Sequence, residues 1–367
     1  MLRLCMMFAM ALVIESAAAQ EAPPPPPADP AATAAEAPAN PTPTASEAPV
    51  EEDDGGRIVG GNPARREDAL WQAEIFAKGY AEYTDKEIEA DKENRSNGTS
   101  KFWFKKGALW FKKDKWELSH RCGGALIEQD WIVTAAHCAK LPCPKKPCFA
   151  ENAFLAQRGV RLGTLNINGS GRTYRIDRVV IHGRYDSENK INDIALMKIV
   201  PDGSGSRPAF APVKIRILGS KQSDLAVLAK PIVTVTGWGL TGARAAGSSM
   251  VFERDGKTFN RKSDVLMAVA LKVLKAGCEE RYPAAMKSGR VLCAGSGGED
   301  DSCQGDSGGP MTRAERGEPV LVGLVSAGDG CGTGLPGLYV NATEYQQWIK
   351  DAIKAAPANQ VIHYAKE

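Results

Sequence analysis

From residue 58 onward, the chain consists of short apolar runs rich in β-branched residues, separated by Gly, Pro, Asn and Asp. Many short strands divided by turn residues are typical of an all-β barrel or sandwich. The clearest runs span residues 122–126, 131–134, 160–162, 179–182, 194–199, 232–237, 321–326 and 337–340. Near the end of the chain, apolar residues recur at helical spacing instead. They predict a C-terminal α-helix over 344–355 with an apolar face formed by Tyr345, Trp348, Ile349 and Ala352.

The first 19 residues have the three parts of a secretory signal peptide. Arg3 precedes an apolar run from Leu4 to Ile14, and the small residues Ser16–Ala19 follow, so we expect cleavage after Ala19. The apolar run is too short for a stop-transfer helix across a bilayer. A buried N-terminal helix is the alternative interpretation. The signal predicts a secreted or periplasmic protein.

Residues 20–57 form an acidic segment that is rich in Pro and Ala. Residues 20–50 contain ten Pro and ten Ala, and such a composition cannot bury enough apolar surface to fold. Eight acidic residues lie between 20 and 57, against the single base Arg57. Residues 58–367 therefore hold 44 basic and 35 acidic side chains, although the whole chain has a net charge of only +2. This basic body weakly favours anionic partners.

The chain has nine cysteines, and Cys5 lies in the predicted signal peptide. Eight remain in an exported chain, which favours a disulfide framework but leaves roughly a hundred pairings open. A zinc site is the alternative. Cys143 and Cys148 lack a second ligand pair at a usual spacing, so we expect neither a metal nor another cofactor.

The segment Asp301–Pro310 carries the strongest chemical signal. Glycines lie on both sides of Ser307, and Asp301 and Asp306 precede it, a spacing that suits a nucleophile on a sharp loop. The backbone N–H groups of Gly305 and Ser307 could there point at one oxyanion. Upstream, Thr134–Cys138 contains His137 and Asn192–Leu196 contains Asp193.

These three contexts, in the order His, Asp, Ser, resemble the trypsin/chymotrypsin family of serine peptidases. The resemblance covers roughly 58–355. It implies one peptidase domain over 58–367, built from two six-stranded antiparallel β-barrels and a C-terminal α-helix. The catalytic cleft would lie between the barrels.

The resemblance implies a catalytic triad. His137 would be the general base, Asp193 would hold the imidazole in the correct tautomer, and Ser307 would be the nucleophile. Taken singly, these residues also fit a core histidine, a solvated aspartate and a turn serine. The order of all three motifs favours the triad.

The same resemblance implies a specificity pocket. Asp301, six residues before Ser307, would select a cationic side chain at its base, and Ser302 beside it would help to bind Lys as well as Arg. A solvated loop acid is the alternative for Asp301. The strand that pairs with the substrate would include Ser326 and Gly328, and the pocket mouth would be kept open by Gly328 and Gly337.

The segment Ile58–Gly61 resembles the mature N-terminus of trypsin-like enzymes. Cleavage after Arg57 would create an α-ammonium group on Ile58, and the resemblance implies that this group pairs with Asp306. The chain would then be a zymogen with residues 20–57 as its propeptide. The resemblance also implies the disulfides Cys122–Cys138, Cys278–Cys293 and Cys303–Cys331, with Cys143 and Cys148 left to pair locally.

The sequence departs from the family pattern at three places. Ala327 stands where an aromatic residue usually follows the counterpart of Ser326. The resemblance therefore predicts no residue for the floor of the subsites beyond the primary pocket. The loop Thr164–Gly169 lacks the carboxylates that bind calcium in trypsins, so no calcium site is expected. About 40 residues are inserted between Ile75 and Cys122.

This insertion, residues 76–120, interleaves aromatic residues with lysines over 101–116. One interpretation is an exosite for an anionic polymer, membrane or protein. The other is a hairpin whose aromatics pack on the barrel while its lysines face water. The aromatic residues are Phe102, Trp103, Phe104, Trp110, Phe111 and Trp116.

We therefore predict a secreted serine endopeptidase that cleaves polypeptides after Arg or Lys and has no specific nucleic-acid partner. A non-catalytic binding protein on a peptidase scaffold is the main rival, but such relatives typically lose a triad member. A processing peptidase whose insertion selects one target is a second rival.

Overall fold

The computed structural model describes residues 59–78, 85–95, 100, 102–106, 109–140, 153–205, 208–219, 231–241, 258–259 and 262–365. The chain divides into residues 1–52 and 53–367, and the described residues all lie in the second unit. The predicted signal peptide and propeptide, including Arg57, lie outside the described residues, as do Ile58, Cys143 and Cys148.

Strands dominate the described chain, and helices are few and short. The strands are β1 (Asn62–Pro63), β2 (Gln72–Ala77), β3 (Trp103–Lys106), β4 (Leu109–Lys112), β5 (His120–Glu128), β6 (Trp131–Thr134), β7 (Arg158–Leu162), β8 (Arg172–His182), β9 (Ala195–Gly205), β10 (Arg216–Ile217), β11 (Ile232–Gly237), β12 (Thr258–Phe259), β13 (Met267–Leu274), β14 (Val291–Gly295), β15 (Pro310–Glu315), β16 (Glu318–Ala327), β17 (Gly337–Asn341) and β18 (Val361–Tyr364). The α-helices are α1 (Asp85–Ala90), α2 (Lys115–Ser119), α3 (Ala153–Gln157), α4 (Pro283–Lys287) and α5 (Gln346–Ala355). Short 3₁₀ helices span Arg66–Asp68, Asp91–Arg95, Ala136–Ala139 and Ala342–Tyr345.

The first barrel has six antiparallel strands in the order β8-β7-β2-β5-β6-β9, and pairing of β8 with β9 closes it. Its core contains fully buried Ile75, Ile132, Val160 and Leu196. Each such side chain contributes about 1.5–3 kcal/mol through burial. The strand predicted over 131–134 coincides with β6.

The second barrel has the order β13-β11-β15-β16-β17-β14, and pairing of β13 with β14 closes it. Buried Val233, Val235, Met311 and Val322 are part of its core. The strand predicted over 232–237 coincides with β11. Together the barrels confirm the predicted all-β class with two closed six-stranded barrels.

The predicted C-terminal helix begins two residues later than expected, because Ala342–Tyr345 form a 3₁₀ turn before α5. The four predicted apolar-face residues, Tyr345, Trp348, Ile349 and Ala352, are buried in the core of the first barrel. After the helix, β18 adds a parallel strand to β8. Trp348 supports this strand, because its Nε1–H donates to the carbonyl oxygen of Tyr364 at 2.9 Å.

The insertion contains the antiparallel hairpin β3–β4, and β12 joins it from residues 258–259 to make a three-stranded sheet. Phe102 and Trp116 are buried, and half-buried Trp103 donates from Nε1 to the carbonyl of Ile88. Lys113 faces inward and lies 3.8 Å from Glu117. Aromatics at the two ends of 101–116 thus pack inward, while the side chains of 104–111 are not described.

Three disulfides join distant parts of the described chain: Cys122–Cys138, Cys278–Cys293 and Cys303–Cys331. They are the three long-loop pairs that the family resemblance implies. Each closed loop of this size contributes on the order of 3 kcal/mol by restricting the unfolded chain. Among the described residues, none of the helices has the length and apolar character needed to cross a membrane.

Candidate active site

His137 lies in the 3₁₀ turn that follows β6. The backbone before it is held by Ala135 and Ala136, both fully buried, and the next residue, Cys138, is bridged to Cys122 in β5. The imidazole keeps 32% of its surface exposed. The turn therefore fixes the backbone while one edge of the ring stays accessible.

Asp193 is buried, with 1% of its surface exposed, and it binds His137 twice. Its Oδ1 accepts from the His137 backbone N–H at 2.9 Å, and its Oδ2 lies 2.8 Å from Nδ1. The hydroxyl of Ser326 donates to the same Oδ2 at 2.7 Å. Burial opposes ionisation, but these hydrogen bonds and the nearby imidazole outweigh it and lower the pKa of Asp193.

An ionised Asp193 can only accept, so Nδ1 of His137 carries a hydrogen and donates to it. In the neutral ring, the lone pair is then on Nε2. A general base needs this lone pair on Nε2 to accept a proton. Ser326, predicted as a backbone partner for substrate, thus also contacts the aspartate through its side chain.

The residue before Asp193 has a strained but well-supported backbone. Asn192 has φ +55°, a left-handed conformation that asparagine tolerates better than most residues. Its amide donates to the carbonyl of Arg184 at 2.9 Å, and its Oδ1 accepts from the hydroxyl of Tyr345 at 3.0 Å. These bonds hold the turn that leads into β9 and aim Asp193 at His137.

Ser307 lies on a loop that is fixed by backbone hydrogen bonds on both sides. Its carbonyl accepts from Gly123 N–H at 2.8 Å, and the N–H of Gly308 donates to the carbonyl of Val325 at 2.8 Å. Gly305 and Gly308 have φ +104° and +73°, a region that side chains make costly. The glycines of the motif are thus required by the turn itself.

The loop lies against the turn that carries His137. The Sγ of Cys138 is 3.5 Å from the carbonyl oxygen of Ser307. No hydrogen bond joins the His137 ring to the Ser307 hydroxyl within the described residues. In that same part of the chain, the N–H groups of Gly305 and Ser307 have no acceptor, so both can donate to a ligand.

Asp306 is fully buried behind this loop. Its Oδ1 accepts from Gly239 N–H and its Oδ2 from Cys303 N–H, both at 2.8 Å. Burial raises the pKa of Asp306 to about 6. A carboxyl group in such a place favours a neighbouring cation.

One pocket of about 200 Å³ is lined by both Ser307 and Asp301. Asp301 is buried and accepts from Gly332 N–H at 3.2 Å. Burial raises the pKa of its carboxyl group to about 7. The hydroxyl of Ser302 lies 2.9 Å from that of Tyr339. The remaining residues predicted to bind substrate, Ser326, Gly328 and Gly337, line the same pocket.

The buried start of the described chain contacts this region. Val59 is fully buried in a cluster with Leu240, Cys303 and Cys331, and its carbonyl accepts from Asp301 N–H at 3.0 Å. The disulfide Cys303–Cys331 connects two segments that line the pocket. The chain that follows residue 58 therefore supports the pocket from within.

Sequence reasoning missed a second buried polar group beside the loop. His120 is fully buried, with Nε2 3.0 Å from the carbonyl oxygen of Gly305 and Nδ1 3.2 Å from Oε1 of Glu74. Burial lowers the pKa of His120, and Glu74 opposes this change. The available signal was a histidine two residues before Cys122, in a chain with only four histidines.

Comparison with known proteins defines the class. A family model described as Trypsin matches residues 105–349. Vitamin K-dependent protein C of Oryctolagus cuniculus is 32% identical over 242 residues, which are 65% of this chain and 47% of that protein. Trypsin Blo t 3 of Blomia tropicalis is 32% identical over 238 residues, which are 63% of this chain and 77% of that protein.

CLIP domain-containing serine protease B15 of Anopheles gambiae is 34% identical over 246 residues, or 63% of this chain and 60% of that protein. The matched region spans only 35% of serine protease 56 of Mus musculus. The chain thus spans about half of the vitamin K-dependent protein C and about a third of serine protease 56. With the two barrels and the matched family model, the chain belongs to the trypsin family of serine peptidases.

Proposed function

We propose that this chain is a secreted serine endopeptidase that hydrolyses polypeptides after Arg or Lys. The proposal rests on one observation: His137, hydrogen-bonded to buried Asp193, lies on a turn that packs against the loop of Ser307. That serine and buried Asp301 line a single pocket. Secretion rests on the signal-like residues 1–19.

In the proposed reaction, the Ser307 oxygen attacks the carbonyl carbon of the scissile bond, and Nε2 of His137 takes the hydroxyl proton. The oxyanion accepts from the N–H groups of Gly305 and Ser307, which have no other acceptor within the described residues. The C–N bond then breaks as His137 returns the proton to the leaving amine. Water hydrolyses the acyl-enzyme by the same steps. The hydrogen bond between His137 and Ser307 would form once substrate excludes water.

Specificity in this proposal comes from Asp301. Its carboxyl group is buried, and the polar partners around it are backbone N–H groups rather than cations. A guanidinium or ammonium group entering the pocket would supply the missing positive charge, whereas an apolar side chain would leave the carboxylate uncompensated. Arg and Lys are therefore the favoured residues before the cleaved bond.

Activation would follow cleavage between Arg57 and Ile58. The raised pKa of Asp306 indicates a buried acid that a cation would stabilise. The position of Val59 beside Cys303 favours Ile58 as the source of that cation, because the new α-ammonium group would lie one residue away. Pairing with Asp306 would then support the oxyanion loop that begins at Gly305.

The test uses the chain beginning at Ile58, with Ser307→Ala as its matched variant. The first should release nitroaniline from Arg and Lys peptide anilides and react with an alkyl fluorophosphonate. Ser307→Ala should lose activity by on the order of 10⁴–10⁶-fold without a change in melting temperature. Equal turnover by both proteins would refute the proposal. A stable fold without turnover or labelling would instead favour the non-catalytic binding protein.

A further inference from the structure

The side chain of Lys262 binds two backbone carbonyl groups near the oxyanion loop, which is the loop that carries Gly305 and Ser307. Its Nζ donates to the carbonyl oxygen of His120 at 2.8 Å and to that of Glu117 at 3.2 Å. Its backbone N–H donates to Oε1 of Glu117 at 3.1 Å. Burial of the amine lowers the pKa of Lys262 to about 7. Burying this charged group costs free energy, and the hydrogen bonds to these carbonyl groups offset part of that cost.

The two peptide groups on either side of Gly305 have separate anchors. The carbonyl of Gln304 accepts from Leu240 N–H at 2.8 Å, and the carbonyl of Gly305 lies 3.0 Å from Nε2 of His120. A carbonyl oxygen can only accept, so Nε2–H is the donor in the second bond. Because C=O and N–H point in opposite directions across a trans peptide, holding the Gln304 carbonyl directs the Gly305 N–H away from Leu240.

Lys262 contacts both residues that hold these carbonyl groups, Leu240 and His120. It forms an antiparallel bridge with Leu240, and its Nζ binds the backbone of His120. A guanidinium nitrogen of Arg121 also donates to that carbonyl, at 3.2 Å. The ring of His120 is further confined by an edge-on contact with Trp238 at 6.2 Å between ring centroids.

The same lysine also binds the end of the insertion, since Glu117 belongs to α2 and is buried. Several charged groups lie near the amine: Glu117 and Glu74 favour its charged form, whereas Arg121 and Lys113 oppose it. The amine also interacts with the buried carboxyl group of Asp306. The insertion is thereby connected to the backbone that carries the oxyanion donor.

We propose that Lys262 is a positioning residue of the oxyanion hole, which ties α2 of the insertion to the Gly305 peptide through His120 and Leu240. The inference rests on the proposed peptidase function. Lys262 contacts no reacting atom in this arrangement. Its loss should therefore weaken binding of the oxyanion in the transition state and leave binding in the Asp301 pocket intact.

The experiment compares Lys262→Met with the parent chain beginning at Ile58. We expect kcat on an Arg anilide to fall about 10–100-fold, because small misplacement of a catalytic group has effects of this size, while KM changes less than about threefold. Affinity for a peptide aldehyde, whose adduct places an oxygen in the oxyanion hole, should fall by the same factor. Affinity for benzamidine, which fills only the pocket, should stay within about twofold.

Three variants make the comparison selective. Lys262→Arg keeps a cationic donor and should recover most of the lost kcat. Lys262→Gln, which is one bond too short to reach both carbonyls, should show the same selective loss if Lys262→Met does not fold. Lys214→Met removes a lysine from an exposed pair with Glu128 and should behave like the parent.

Three outcomes would overturn the role of Lys262, and they separate it from the proposed peptidase function. An active parent with an unchanged aldehyde affinity in Lys262→Met and Lys262→Gln would overturn this inference alone. Equal loss of aldehyde and benzamidine binding would indicate general disruption and would also overturn it. A parent that neither hydrolyses the anilide nor reacts with the fluorophosphonate would overturn the proposed function, and this inference with it.

Discussion

The buried carboxyl group of Asp301 predicts a steep pH dependence for cation binding. Its pKa in the empty pocket is raised to about 7, mainly by burial, whereas an aspartate in the unfolded chain titrates near 3.9. Benzamidine remains cationic between pH 5 and pH 8 and should bind only when Asp301 is ionised. Affinity should therefore rise with pH up to about 7 and level off above it.

The magnitude follows from the ionised fraction. With a pKa of about 7, roughly 90% of Asp301 is ionised at pH 8 and about 1% at pH 5. The dissociation constant should thus increase about 90-fold between these pH values, equivalent to about 2.7 kcal/mol at 1.36 kcal/mol per tenfold change. Near pH 6, binding should release close to one proton.

The assay is isothermal titration calorimetry of benzamidine in two buffers of different ionisation enthalpy. The protein is the chain beginning at Ile58 with Ser307→Ala, which prevents self-digestion. His137→Ala on the same background removes the imidazole of the site and should keep the slope, while Asp301→Asn should bind weakly at every pH. An affinity that changes less than about twofold between pH 8 and pH 5 would refute the argument.

The remaining predictions concern calcium, activation and the turn at Ser307. Calcium should shift the melting temperature by less than about 1 °C relative to a chelator, because Thr164–Gly169 offers no carboxylate; a shift of several degrees would contradict this. Arg57→Gln should give a folded, nearly inactive precursor, and neutralising Glu51, Glu52, Asp53 and Asp54 should speed any self-activation by removing like-charge repulsion. N-terminal sequencing and activity over time test both, and full activity of a chain still joined at 57/58 would oppose the zymogen mechanism. Gly308→Ala should lower the free energy of unfolding, measured with urea, by more than about 2 kcal/mol and abolish turnover. The φ angle of Gly308 is +73°, and the new methyl group would overlap Thr134 and lie 2.8 Å from the Gly123 carbonyl oxygen. A variant with parental stability would show that the loop can rearrange.

Local patterns predicted many of the strands and the all-β class, whereas the two barrels were implied by the family resemblance. The strands predicted at 131–134 and 232–237 match the observed bounds, and these β-branched runs begin directly after Asp130 and Pro231. β18 could not be predicted in the same way. Its four residues pair in parallel with residues 179–182, and no local pattern specifies a partner so far along the chain.

The site shows the same division between local and distant signals. Short motifs mark His137, Asp193 and Ser307, and the structure places the first two in direct contact. The contacts of His120 and Lys262 depend on residues far along the chain, such as Gly305 and Glu117. A single histidine or lysine carries no local sign of such a partner. Sequence motifs therefore indicate which groups react, whereas the support behind them emerges only from the fold.

The strand β18 has a practical consequence for making the protein. Besides pairing with β8, this tail binds back to the barrel, because the N–H of Gly183 donates to the Tyr364 carbonyl at 2.8 Å and a guanidinium nitrogen of Arg184 to the Ala365 carbonyl at 3.2 Å. A recombinant chain that stops after α5 would leave the edge of β8 unpaired, and open strand edges promote aggregation. If the chain is cleaved between Arg57 and Ile58 as proposed, an N-terminal affinity tag would leave with the residues before the cleaved bond. A purification tag therefore belongs after Glu367, behind a spacer that lets the tail stay docked.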